Sequence, residues 1–199
     1  MTWYGADPGG EKRFGMAALE ADGSFETQLY SSVQEAFEYV QRPAGIGIDC
    51  PLWWSSGKGG GRHVDDWLRE RYDIPPGTVQ TANSLRGAAT VQGLLLAMRL
   101  RKMWRNIPIT ESHPGAHSYQ MGRPAWSTIS RRFKLKGREP DTADGRDALL
   151  GAIAAREGQL KRWKTDLSVY RNEDEENPKN LWFGPVCYWW PDPYVSIDE

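Results

Sequence analysis

Three short apolar segments of the chain each stop at a carboxylate: residues 3–6 at Asp7, residues 45–48 at Asp49 and residues 107–110 at Glu111. A brief apolar run closed by turn residues is the pattern of a buried strand. In an open α/β sheet, ligands bind beyond the carboxyl ends of the strands. Three acids at such ends converge on one region, and without a cation between them they repel. Hard oxygen donors of this kind select Mg²⁺, Mn²⁺ or Ca²⁺ over zinc or copper. Asp141, Asp144 and Asp147 follow at a spacing of three. That spacing puts them on one helical face, in a first turn where acids also suit the helix dipole. Capping is the ordinary alternative for Asp141 and Asp144. Packing gives no comparable account of three strand-terminal acids.

Other residues could handle a substrate. His113, two residues past Glu111, reads as a proton shuttle, a phosphate contact or a structural histidine. Its spacing to His117 imitates an i, i+4 metal pair, but Pro114 and Gly115 argue against a helix there, so zinc is not expected. Arg62, Arg69 and Arg86 are candidates to hold phosphates, with a solvated face as the ordinary alternative. The densest basic run is Arg131, Arg132, Lys134, Lys136 and Arg138, five positive charges in eight residues with no acid among them. Such a run contacts a nucleic-acid backbone without reading sequence. Arg99, Arg101, Lys102 and Arg105 add a second basic face. The loop 55–61 holds four glycines around Lys58, but it lacks the glycine spacing and the Ser or Thr of a phosphate loop.

The elements that must position these residues are legible. Asp22-Gly23 between two β-type runs predicts a hairpin, hence three antiparallel strands at the front of the chain. Ser32 with Glu35 forms a capping box for the next helix. Helices follow over 64–72, over 88–104 with Val91, Leu94, Leu95, Met98 and Leu100 or Met103 inward, and over 142–163. The order of strands and helices predicts an α/β fold with a mixed sheet.

Composition bounds the function. The net charge is -1 over 199 residues, which excludes a generic cationic coat for nucleic acid while leaving room for a local basic patch. Residues 166–199 carry eight acids against two bases, leaving residues 1–165 positive by five. The tail is also rich in aromatics (Trp182, Phe183, Tyr188, Trp189, Trp190), too apolar to remain in water. It is expected to fold back over a sheet edge, with cover of the basic groove as the alternative. Only two cysteines occur, without metal spacing. No apolar stretch has the length of a signal peptide or a membrane span. A reducing, cytoplasmic location is expected, with no membrane partner.

Four motifs carry a resemblance: Gly5-Ala6-Asp7-Pro8-Gly9-Gly10, Gly47-Ile48-Asp49-Cys50-Pro51, Glu111-Ser112-His113-Pro114 and Asp144-Gly145-Arg146-Asp147-Ala148-Leu149-Leu150. In this order they resemble the domain-of-unknown-function 429 family, regarded as nucleases of the ribonuclease H-like superfamily. The stretch 62–71 is similar to that family's Arg-rich helix, and Asp144-x-x-Asp147 to the last metal-binding helix of Holliday-junction resolvases. The resemblance covers residues 3–157. It implies a ribonuclease H-like fold, a five-stranded mixed sheet flanked by helices, in residues 1–165 with residues 166–199 as an extension. It also implies two Mg²⁺ or Mn²⁺ ions about 4 Å apart, bridged by Asp7 and completed by Asp49, Glu111 and Asp147, with Asp144 in reserve. The substrate would be nucleic acid. Gly115 stands where the family pattern has an acid, and the tail has no counterpart in it. Two alternatives are a non-catalytic binding module, and a nucleotide-binding protein like the actin-like ATPases, whose first phosphate loop resembles residues 5–10 but whose chains are much longer.

Overall fold

The computed structural model describes residues 1–9, 13–57, 60–75, 77–82, 85 and 87–191. Gly10, Lys58, Arg86, Asp192, Asp198 and Glu199, which the sequence singles out, lie outside the described residues. A hairpin pair opens the chain: β1 (Thr2–Asp7) runs antiparallel to β2 (Phe14–Glu20), and β2 to β3 (Phe25–Tyr30). Next come α1 (Val33–Tyr39), β4 (Pro43–Ile48), α2 (His63–Tyr72), α3 (Gly87–Met103) and β5 (Ile109–Glu111). β4 and β5 join in parallel, giving a five-stranded sheet of order β3-β2-β1-β4-β5. The α/β fold with a mixed sheet, flanked by helices in the ribonuclease H-like manner, is thus present. No helix of the described residues is long and apolar enough to cross a membrane.

Short-range signals explain several boundaries. Ser32 caps α1, its side chain accepting the Glu35 amide at 3.3 Å while the Glu35 carboxylate accepts the Ser31 amide at 2.9 Å. α4 (Pro114–Gln120) starts on its proline. This corrects the expectation of no helix there: at the first helical position proline's missing N–H removes nothing and its fixed φ suits the helix. α5 (Trp126–Phe133) and α6 (Ala143–Gln159) follow. Thr142 caps α6 by accepting the Gly145 amide at 3.1 Å, so Asp141 stands outside the helix, exposed. Only Asp144 and Asp147 share its face.

α6 lies across β1, β2 and β4, and the contact depends on small residues. A Cβ on Gly5 would come within 1.7 Å of the Ala148 carbonyl oxygen, and one on Gly15 within 2.2 Å of that of Asp144. The helix backbone therefore rests almost directly on the sheet. On the other face α3 buries Gly93, Leu96, Ala97 and Leu100, while Val91, Leu95 and Met103 are exposed. The expected inward face is thus rotated, because Gly93 packs against Cys50 and Pro8, where a side chain does not fit.

The tail belongs to the same core. β6 (Thr165–Asp166) pairs with β7 (Trp189–Trp190), with a 3-10 turn over Leu167–Val169. Cys187 exchanges backbone hydrogen bonds with the β5 edge, donating to Ile109 at 3.0 Å and accepting from Glu111 at 2.8 Å. An open edge is a liability for pairing with other chains, and here the tail covers it. Leu167, Phe183, Val186, Tyr188 and Trp190 are buried in one cluster with strands β1 and β4.

Candidate metal centre at the carboxyl ends of the central strands

Asp7 ends β1. Asp49 follows β4, its amide donating to the Ala6 carbonyl at 2.8 Å, so the two acids sit side by side across a parallel strand pair. The close seat of α6 on Gly5 and Gly15 brings Asp144 and Asp147 to the same end. Asp7 and Asp144 line a cleft of about 480 Å³ whose opposite wall includes Gln80, Leu85, Ala88 and Ala89. Arg13 at the rim forms a two-pronged contact with Asp144, at 3.2 and 3.3 Å.

Electrostatics set these acids apart. Burial, reinforced by the charges of Asp147 and Asp144 and opposed by Arg13, pushes the Asp7 carboxyl up to about 8. Burial also holds Asp49 well above the ordinary carboxylate range, with Asp7, Asp147 and Glu111 adding to it. Asp147 rises to about 6 through burial, with Arg146 opposing and Asp144 adding. Among the described residues no lysine or arginine forms an ion pair with Asp7, Asp49 or Asp147. Half-buried acids that lack a cation resist ionising. A divalent cation bound by oxygen ligands would supply the missing charge.

Glu111 has a different fate. Its Oε1 accepts from Arg62 Nη2 at 2.7 Å and from His113 Nε2 at 2.8 Å. Its Oε2 accepts from Arg62 Nη1 and the Leu52 amide, both at 2.8 Å. Four bonds fill the four acceptor positions of a carboxylate. Burial alone would push Glu111 up; the Arg62 charge and hydrogen bonds, with His113, outweigh it and hold the carboxyl at about 2. An ion could therefore reach Glu111 only by displacing one of these donors. The expected phosphate contact of Arg62 is corrected. The side chain is fully buried, bound to Glu111 and, at 2.8 and 2.9 Å, to Asp65, and stacked 4.3 Å over the Trp53 ring, out of reach of a phosphate. Asp65, Glu111 and His113 offer ligand atoms within 4.8 Å of one another and could hold a metal ion. In this arrangement the Arg62 guanidinium already supplies the cation between the two carboxylates, so an ion would have to displace it. Sequence reasoning missed Asp65, although its opposite charge three residues after Arg62 was a signal for the pair.

The other expected residues scatter. His113 is buried, one ring nitrogen on Glu111 and the other, Nδ1, 3.9 Å from Asp49 Oδ1. His117 lies elsewhere, buried at 5.3 Å from the rings of both Trp163 and Trp190; burial, with the charge of His113, lowers it to about 3. The two do not form a metal pair. Arg69 donates to Asp66 at 2.6 Å and to the Val79 carbonyl at 2.9 Å, tying α2 to the following loop. The basic run does not adjoin the acids. Lys136 pairs with Asp22 at 3.0 Å and its amide bonds to Gly23, at the β2–β3 turn. That turn lies beyond Glu20, whereas Asp7 pairs with Gly15, so about 17 Å of strand separates the two ends. Arg131, Lys134 and Arg138 are exposed there, and Arg132 is half-buried. Sequence proximity to α6 misled, because 137–141 runs back along β3. On the second basic face, Arg101 meets the tail at the Pro185 carbonyl.

Fold and site together define an α/β protein with an acidic cleft at the ends of its central parallel strands. The chain belongs to the family described as protein of unknown function (DUF429), whose model matches residues 5–176. The match takes in part of the tail, including Glu175, which accepts the His63 amide at the start of α2 at 2.6 Å. No curated protein and no solved structure matches the chain.

Proposed function

We propose that the protein is a Mg²⁺- or Mn²⁺-dependent nuclease of the ribonuclease H-like superfamily, hydrolysing phosphodiester bonds of nucleic acid in a reducing, cytoplasmic setting. The observation that carries this reading is the group Asp7, Asp49 and Asp147: three carboxylates at one end of the sheet, raised in pKa and without a lysine or arginine partner among the described residues. Their all-oxygen donor set fits a hard divalent ion. Asp7, Asp49 and Asp147 would hold it, and Asp144 would join on release from Arg13. A bound ion of this kind makes water nucleophilic at neutral pH and stabilises the leaving oxygen.

The chain's own groups do the rest. The sheet and α6 fix the acids, and the uncharged wall of Leu85, Ala88 and Ala89 does not compete for the ion. Arg13 offers the rim a positive charge for a phosphate oxygen. Exposed Arg131, Lys134 and Arg138, about 17 Å along the sheet, suit a polymer that extends past the reacting bond. Cys50 and Cys187 are both free thiols, in keeping with a reducing compartment. The test is Asp7→Asn assayed for Mn²⁺-dependent cleavage of labelled single- and double-stranded DNA and RNA. Cleavage and calorimetric Mn²⁺ binding should both disappear while the circular dichroism spectrum is unchanged. Cleavage as fast as wild type would remove Asp7 from the reaction.

A further inference from the structure

The sequence presents Glu111 as an acid like Asp7 and Asp49, at the end of its own strand. Unlike theirs, its four acceptor positions are all filled by protein donors. Two of the four bonds come from Arg62, which is itself locked by Asp65, and one from the Leu52 backbone; all three donors are fully buried. The fourth comes from His113 Nε2 at 2.8 Å. An ionised carboxylate only accepts, so Nε2 donates. The ring is thereby held in one orientation, and its Nδ1 faces Asp49 Oδ1 at 3.9 Å; in the doubly protonated ring this nitrogen is a donor too, one small movement from a hydrogen bond to the carboxylate. Asp49 is the acid of the cluster with a quarter of its side chain exposed, and no described lysine or arginine pairs with it. A flexible carboxylate would lose side-chain entropy on ligating an ion. A ring fixed behind it removes part of that loss in advance. Partners that orient a metal ligand in this way commonly change affinity 10- to 100-fold when removed.

We infer that His113 is a positioning residue for Asp49, and that the Asp65–Arg62–Glu111 group is the rigid buried mount that aims it. This rests on the metal reading of the Asp7, Asp49 and Asp147 cluster. It assigns Glu111 and His113 to the support of the site and takes both out of contact with the ion and the substrate.

Two substitutions separate the ring's two bonds. Glutamine places its amide nitrogen where Nε2 lies and retains the bond to Glu111 without the contact to Asp49. Asparagine places its amide nitrogen where Nδ1 lies and retains the contact to Asp49 without the bond to Glu111. Mn²⁺ affinity is read by calorimetry and thermal stability by circular dichroism, on the full chain. His113→Gln should keep its melting temperature and bind Mn²⁺ about 10- to 100-fold more weakly. His113→Asn should melt lower and, keeping the contact to Asp49 but no longer aimed by Glu111, bind Mn²⁺ more weakly than wild type and more tightly than His113→Gln, at a temperature where it is folded. A purely structural histidine would move stability and affinity together in both variants. Wild-type affinity in His113→Gln, or equal losses in the two variants, overturns the inference while the metal reading stands. Absence of Asp7-dependent Mn²⁺ binding in wild type overturns the metal reading, and this inference with it.

Discussion

Replacing Arg62 with leucine removes the cation that two buried carboxylates share. Asp65 and Glu111 are fully buried, and each receives two hydrogen bonds from the guanidinium. Deleting one partner of such a group leaves uncompensated charge and costs about 3–5 kcal/mol. The Glu111 carboxyl gives a second route to the figure. Held at about 2 in place of its ordinary 4.5, it contributes on the order of 3 kcal/mol at neutral pH. For a chain of this size about 2–4 °C of melting temperature goes with each kcal/mol, so Arg62→Leu should melt roughly 6–20 °C lower. The pH dependence has a definite sign. In wild type the folded value lies below the unfolded one, so the stabilisation is complete above 4.5 and is lost as pH falls toward 2. In the variant, burial without a cation pushes Glu111 above its ordinary value, and acidification relieves the penalty. The gap between the two proteins, followed by calorimetry or urea unfolding, should therefore narrow from pH 7 to pH 4.5. Glu111→Gln in the leucine background should recover part of the loss. A gap of under about 1 kcal/mol at pH 7, or one that widens on acidification, would refute the assignment of Arg62 as the internal counter-ion.

Other expectations follow from the same geometry. Gly5→Ala drives a Cβ into the Ala148 carbonyl at 1.7 Å and the Ala152 amide at 2.5 Å, so α6 must retreat and carry Asp144 and Asp147 with it. A cost at or above the upper end of about 1–3 kcal/mol and loss of Mn²⁺ binding are expected, and Gly87→Ala, with open space around it, is the control. An unimpaired Gly5→Ala would show that the seat of α6 does not set the site. Without metal, the folded Asp7 carboxyl at about 8, against an ordinary 3.8, binds a proton that the unfolded chain has lost across that window. Stability of the metal-free protein should fall as pH rises from 5 to 8. Asp7→Asn should flatten the slope, and saturating Mn²⁺ should abolish it. Identical melting profiles for wild type and Asp7→Asn would contradict the raised value.

Residues whose neighbours in sequence are also their neighbours in space were legible. The Asp22-Gly23 turn, the Ser32 cap and the strands ending at Asp7 and Asp49 needed only local chemistry. The buried face of α3 was not legible, because Leu94, Leu95 and Leu96 form an unbroken apolar run and the choice among them is made by Gly93 against Cys50, from another element. Pro114 was read as a helix breaker when its position made it a helix start. The buried surroundings of Glu111 were not legible for a deeper reason. Residue type and strand-end position are visible in one dimension, but its partner Arg62 is 49 residues away, and the local pairing of Arg62 with Asp65 does not mark it as turned inward toward Glu111. For the basic run the distance from the acids was hidden by the path: 131–138 precedes α6 in sequence yet folds back to the opposite end of β2.

Two fates of strand-end acids therefore separate within one sheet, and the distinction is whether the fold supplies its own cation. Glu111 has Arg62, and its carboxyl is depressed and fully bonded. Asp7, Asp49 and Asp147 have no such group among the described residues, and burial raises all three. Stability alone does not account for the second arrangement. Half-buried acids that titrate high cost free energy at neutral pH, and uncharged residues at those positions would avoid the cost. Acids kept together at one end of the sheet, in a chain that uses an arginine as an internal counter-ion elsewhere, support the proposal of a positive charge that arrives from outside. That inequality between Glu111 and its neighbours supports reading the cluster as a binding centre, and an ion that binds there should be lost with Asp7 and bound more weakly when the Glu111 mount is loosened.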